Sequence, residues 1–384
     1  MILKNRNTLF FSCLGISMAL LFCIPSVSAE NIAPFVMPSA RSSGMGGTHA
    51  ALADDFYSLF TNPAAFVGIE EQFSAAELTL KTYGPIFEIL DVVANDPSSM
   101  EDIDISGIVG EGGFAAGLEL GGPLSLGWVG RGLGLGIFNR LKADASVFGF
   151  SLLPELSGDI ILTAGYSFRV LKKTNHIVDA GFLGKGFYRM SIDLESSIFK
   201  IDELANSFEE RPISVVLGLG FDLGVKYTFA ENFSAAVVCL DAYSPAMVSI
   251  YDSWNTFKDK GEPTENKYAT VLPRLGVGLK YRIRSALLDK YISNFIVMAD
   301  YRDFLDLASI IPRNPILNVG IGTELVVLDK LSLRFGVSDA LPAMGFGLDL
   351  TFMQLDFAIY GRELGLDPGL QSVYAIDIGL LFRY

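Results

Sequence analysis

Between residue 71 and the C-terminus, hydrophobic and polar positions alternate with a period of two. In "LGLGFDLGVKYTF", Leu219, Phe221, Leu223, Val225, Tyr227 and Phe229 share one face, and Gly220, Asp222, Gly224, Lys226 and Thr228 share the other. In "RLGVGLKYRIR", Leu275, Val277, Leu279, Tyr281 and Ile283 oppose Arg274, Gly276, Gly278, Lys280, Arg282 and Arg284. "LNVGIGTEL" and the closing "SVYAIDIGLLFRY" repeat the arrangement. Side chains alternate across a strand, so each segment has one apolar face and one small or charged face. A soluble sandwich turns its apolar face to a core. Here the polar faces, repeated around a sheet, line an interior, and the apolar faces look outward to lipid. Backbone groups in lipid must be satisfied internally, so such a sheet has to close.

The pattern predicts 14 strands, near 71–81, 122–130, 132–148, 158–170, 176–191, 213–229, 232–243, 272–284, 292–303, 315–327, 330–338, 343–352, 355–361 and 372–384. Long and short connections alternate between them, as in outer-membrane barrels. The expected fold is an all-β, 14-stranded antiparallel transmembrane barrel over 71–384. Residues 82–121 read as a long first loop with helical character from Ile86 to Val93, and 195–210 as a short acidic helix in an outer loop.

Residues 39–68 do not alternate. Leu52, Phe56, Leu59 and Phe60 fall at helical spacing, with Asp54, Asp55 and Ser58 on the other side. The spacing predicts an amphipathic helix from about Thr48 to Thr61. Pro63 disfavours helical geometry at Asn62 and ends it. Asp54 and Asp55 are expected to meet inward bases such as Lys226, Arg274 or Lys280.

Composition sharpens the picture. Half of the 384 residues are hydrophobic, yet only the N-terminus gathers them into a block. Lys4 and Arg6, the apolar run Leu9 to Ile24, and Val27-Ser28-Ala29 read as a secretory signal peptide, residues 1–29. Cleavage after Ala29 would remove Cys13 and Cys23 and leave one thiol, Cys239, so no internal disulfide is expected. The remaining chain has 27 basic and 43 acidic residues, a formal charge of −16, which argues against nucleic acid as a partner.

The stretches "GMGG", "ALADD" and "NPAAF" resemble the start of FadL-like outer-membrane proteins, the long-chain fatty-acid channel superfamily; PorV/PorQ-type secretion proteins share this head. "LDFAIYGRELG" and the last strand resemble the same group. The resemblance implies that 30–70 is a hatch inside the barrel, with Gly44, Gly46 and Gly47 at its flexible start and Asn62, Pro63 and Ala64 within it. It also implies a lateral exit. A candidate is the strand start Gly121-Gly122-Pro123, where a ladder donor is missing and glycine marks a bulge or close approach; a simple bend at the rim is the alternative. The C-terminal aromatic strand resembles the signal read by the barrel-assembly machinery.

No nucleophilic, metal or phosphate-binding constellation emerges, and neither an enzyme activity nor a cofactor is expected. His49 and His176 are the only histidines. Three functions follow from this reading. The first is passage of hydrophobic compounds such as fatty acids, with Ile86, Phe87, Ile89, Leu90 and Val93 as candidate ligand contacts. The second is a PorV-like protein that escorts or anchors secreted proteins, and the third is a structural barrel or adhesin. Outer-membrane lipids are partners in all three.

Overall fold

The computed structural model describes residues 30–84, 114–122, 125–148, 151–193, 196–197, 210–259, 261–284 and 292–383. Nineteen strand segments form one sheet. In chain order they are β1 (Glu30–Ile32), β2 (Gln72–Gly84), β3 (Phe114–Gly121), β4 (Leu126–Gly130), β5 (Leu133–Phe148), β6 (Ser151–Lys173), β7 (His176–Asp193), β8 (Ser196–Ser197), β9 (Ile213–Phe229) and β10 (Phe233–Tyr243). There follow β11 (Pro245–Tyr251), β12 (Glu265–Val271), β13 (Arg274–Arg282), β14 (Ile292–Tyr301), β15 (Val319–Val327), β16 (Leu331–Ser338), β17 (Leu341–Asp349), β18 (Met353–Glu363) and β19 (Ser372–Arg383).

Fourteen wall strands result, three of them in two pieces: β3 with β4, β10 with β11, and β12 with β13. Each wall strand pairs antiparallel with its sequence neighbours, and β19 pairs with β2, so the barrel is closed. Closure leaves no unpaired edge facing lipid. β8 is a two-residue flap on β6, and β1 runs parallel to β12 at the rim of the long loops. At the opposite rim, Arg131, Ala230-Glu231 and Leu328-Asp329 take positive φ. Two consecutive positive φ values, as in the last two pairs, make the two-residue turn whose twist matches the flanking strands.

The expected facing holds. Leu162 and Leu219 on the outer surface are 54% and 66% exposed, whereas inward Asp222 and Arg334 are 1% exposed. Burying unpaired charge in lipid is costly, so the charged faces turn inward.

Three stretches differ from expectation. The first loop is shorter than 82–121, because β2 runs to Gly84 and β3 begins at Phe114. β11 and β12 extend the wall beyond the breaks at Ser244 and Leu272-Pro273. Ser196 and Ser197 pair with β6 as a strand rather than forming a helix. Ile86, Phe87, Ile89, Leu90 and Val93 lie outside the described residues, as do Pro123, Tyr384 and most of the acidic stretch 195–210.

Candidate functional site

Residues 33–69 lie inside the barrel and build the site. The segment contains α1 (Ala40–Gly44), α2 (Ser58–Thr61) and a 3-10 helix, Pro63–Gly68. Ser39 caps α1, accepting from the Ser42 amide at 3.2 Å. Gly46 and Gly47 end it with φ of 66° and 75°, and the Gly47 amide donates to the Ser42 carbonyl. This glycine turn is seated rather than loose. A Cβ on Gly46 would strike the Val337 and Ile321 carbonyls, and wall glycines Gly320, Gly322 and Gly336 make room for the turn. The resemblance implied a flexible start here; in the structure the turn is closely packed against the wall.

The continuous helix expected from Thr48 to Thr61 is replaced by turns followed by one helical turn, α2. Ala53 has φ 32°, which breaks any helix. The apolar residues explain the break, since they serve two separate cores. Leu52 packs with Met45, Ile296 and Met298. Phe56, Leu59 and Phe60 join Phe138, Ile161 and Leu183 on the opposite wall. Phe60 meets Phe138 edge-on, with ring centroids 4.7 Å apart.

Asp54 and Asp55 meet Arg41 instead of the expected wall bases. Arg41 Nη1 donates to Asp54 at 2.8 Å and Asp55 at 2.6 Å, while Nε and Nη2 hold both oxygens of Glu324 at 3.0 and 2.7 Å. Such a forked arrangement is the strong form of the pair. Glu324 continues to Arg334 at 2.8 Å, and Arg334 to Asp356 at 2.5 Å. Burial opposes charge on Asp55, but His49 and Arg41 outweigh it and hold its carboxyl well below the usual carboxylate range. His49 bridges Asp55 at 3.1 Å and Thr61 at 2.9 Å. His49, Asp54 and Asp55 would suit a cation by spacing, and Arg41 supplies the positive charge there. Lys226 caps the broken turn, donating to the Leu52 carbonyl at 2.6 Å, and Arg274 pairs with Asp241 at 3.3 Å.

Asn62, Pro63 and Ala64 form the joint to the wall. Asn62 Oδ1 accepts from the Ala64 amide at 3.0 Å, and its Nδ2 donates to the Ala50 carbonyl at 2.8 Å. Pro63 opens the 3-10 helix, where its missing N–H costs nothing. The joint rests on Gly181 and Gly224, whose absent side chains leave it space.

Ahead of α1, the chain crosses the lumen as a strap. The Ala33 carbonyl accepts from Arg189 at 3.2 Å, Phe35 stacks on Phe187, and the Val36 carbonyl accepts from Arg140 at 2.6 Å. Met37 then covers Gly121. At this point the wall ladder is interrupted. β2 pairs with β3 over Thr79–Tyr83 and with β4 over Gln72–Ser74, and among the described residues 75–78 have no ladder partner on that side. Gly122, with φ 82°, lies against the Glu77 carbonyl, and Asn139 bridges to the Gly122 carbonyl at 2.8 Å. Tyr57 hydrogen-bonds Glu77 from inside. Around the break, Glu77 Oε2, Thr79 Oγ1 and Ser125 Oγ are buried without a hydrogen-bond partner among the described residues. Gly121 and Gly122 thus stand beside an interruption of the wall ladder. On the outer surface, an apolar groove of about 1450 Å³ begins at Leu126 and Trp128 and runs over Leu162, Gly184 and Leu219 to Tyr243.

The inner segment separates two chambers. The chamber toward the long loops has a volume of about 710 Å³ and joins apolar Val36, Met37, Phe60, Val238 and Leu240 to six bases: Lys81, Arg140, Lys142, Arg274, Arg302 and Arg362. Its acids are Glu119 and Asp300. The chamber toward the short turns, about 610 Å³, reverses the balance. Seven acids line it (Asp54, Asp55, Glu70, Glu71, Glu324, Asp329 and Asp349) against Arg41, Lys330 and Arg334. Both chambers draw on residues far apart in sequence. Arg41 in particular gave no signal, because its wall partner is 283 positions away.

No protein-family model and no curated protein matches the chain. Among solved structures, the chain is similar to the Pseudomonas putida toluene transporter TodX, with 13% identity, a TM-score of 0.47, and coverage of 92% of this chain and 99% of that one. It is similar to the Ralstonia pickettii toluene transporter TbuX at 10% identity and a TM-score of 0.47, covering 93% and 99%. A Pseudomonas aeruginosa FadL homologue matches at 13% identity and a TM-score of 0.42, covering 91% and 98%.

Proposed function

We propose that this barrel passes hydrophobic compounds, fatty acids foremost, across the outer membrane, with residues 30–70 as a hatch and the β3–β4 break as a lateral exit. The reading is carried by one juxtaposition. A chamber combining apolar surface with basic side chains lies just inside the break, and an apolar groove lies just outside it. A long-chain carboxylate satisfies both halves of that chamber. Its tail leaves through the wall at Gly121-Gly122 once Met37 and the strap shift. No bond is made or broken, so no enzyme activity or cofactor is called for.

The Asn62 joint tests the hatch. Asn62→Ala removes the bond to the Ala50 carbonyl and the cap on Ala64, together worth about 1 kcal/mol, or about fivefold in the population of an unseated hatch. Uptake of a labelled fatty acid by cells carrying this variant is expected to rise toward that factor, with the barrel still heat-modifiable. Unchanged uptake with normal assembly would remove the hatch from the mechanism and favour the escort or structural readings.

The C-terminal strand bears on assembly. Its outward row, Tyr374, Ile376, Ile378, Leu380 and Phe382, closes the barrel against β2 and β18. Deleting Phe382 to Tyr384 is expected to leave the protein unassembled, because the aromatic end is the feature offered to the assembly machinery. Normal amounts of heat-modifiable protein in the outer membrane would contradict this.

A further inference from the structure

The two chambers carry opposite charge, and the proposed transport route does not by itself require that. Both are lumenal, and a neutral tube would pass a hydrophobic compound equally well. Six bases line the outer chamber against two acids; Glu119 borders it and pairs with Lys81 and Arg140, while Asp144, Asp159, Asp241 and Asp339, which pair with Lys142, Arg140, Arg274 and Arg302, do not border it. Glu70, Glu71, Asp329 and Asp349 line the inner chamber together with Lys330, and Glu71 is ion-paired with Arg131. The ion-paired cluster of Arg41 with Asp54, Asp55 and Glu324 borders the same inner chamber. His49 borders the outer one and touches Asp55, so a single side chain spans the boundary.

We propose that this reversal of charge sorts the ligand's route: an amphiphile with an anionic head is held above the hatch and refused by the acidic inner chamber, so that it leaves through the wall and not into the periplasm. A cleft lined by one sign of charge concentrates the opposite charge and depletes its own. The head stays among the outer bases while the apolar tail, which has no charge to repel, enters the β3–β4 break first. A cationic amphiphile meets the opposite sequence, poorly held outside and admitted inside. The inference rests on the channel reading and adds to it how the charged head is held and which way it is barred from going.

The test uses the full-length protein in lipid nanodiscs and three photoreactive probes with one alkyl chain, bearing a carboxylate, a hydroxyl or a trimethylammonium head. Cross-links are mapped to the outer chamber, at Val238 and Leu240, and to the inner chamber, at Val326 and Ser332. The ratio of inner to outer labelling is expected to be at least about tenfold lower for the carboxylate than for the ammonium probe. In Glu70→Lys with Glu71→Lys the carboxylate ratio should rise severalfold; Glu70→Gln with Glu71→Gln should move it in the same direction by less, and serves if the lysine pair does not assemble. Equal ratios for carboxylate and ammonium in the unaltered protein overturn the sorting. If the hydroxyl probe labels the lumen while head charge has no effect, sorting falls and the channel reading stands. If no probe labels either chamber, both fall.

Discussion

Replacing Glu324 by alanine is expected to destabilise the folded barrel by about 3–5 kcal/mol, because it strips one partner from a buried pair and leaves the other charges uncompensated. Glu324 is 1% exposed and lies between Arg334, also 1% exposed, and Arg41 of the inner segment. Its loss leaves Arg334 with Asp356 alone and Arg41 with Asp54 and Asp55. The effect therefore has two readouts. Reversible unfolding in lipid reports the loss of stability, and hydrogen exchange over residues 40–61 reports release of the segment from the wall. Glu324→Gln keeps the shape and some hydrogen bonds, and should fall between. A cost below about 1 kcal/mol, the value of an exposed pair, would mean that water reaches these charges.

The second large effect belongs to the outer surface. Leu279 stands near the middle of β13, 45% exposed, between Ala235 and Ala299 of the adjacent strands. Arginine there is expected to cost more than alanine, by up to about 2–4 kcal/mol, the midplane value, and by less the nearer the position lies to the short-turn rim. Leu279→Ala separates the loss of the leucine from the arrival of the charge. Equal stability of the arginine and alanine variants would place this face away from lipid. The neighbouring Gly278 is a poor comparison site, because a side chain there would press on Ala50 and Asp300.

The wall was legible because a period of two survives any curvature or tilt. Strand 213–229 matches the predicted limits, and each of the 14 runs found its place. What escaped detection was local. β11 and β12 continue the wall past Ser244 and Leu272-Pro273, where a broken ladder interrupts the alternation that would have announced them. The helix predicted over 48–61 fails for a different reason. Helical spacing assumes that one face is buried against one surface, whereas Leu52 and Phe56 are pulled into cores on different walls. Of the candidate site, Asn62, Pro63 and the glycines of the inner segment came into view through the resemblance carried by "GMGG" and "NPAAF", with Pro63 also legible as the end of a helix. Arg41 was not, since nothing in a lone arginine reveals a carboxylate that the fold brings to it from the other end of the chain.

The glycines on the inner faces of the strands looked like the small residues of an open lumen. They are instead the negative of another object: Gly320, Gly322 and Gly336 trace the Met45–Gly47 turn, and Gly181 and Gly224 trace Asn62 to Ala64. A casting of this kind has a consequence for which substitutions the chain can accept. A larger side chain on either surface is rejected unless the other surface recedes, so the wall and its filling are committed to each other residue by residue. The inner segment precedes every wall strand in the chain and is available as the strands close, much as a mandrel is present while a tube is wound. Replacing it with an unrelated segment would leave a barrel shaped around something that is no longer there.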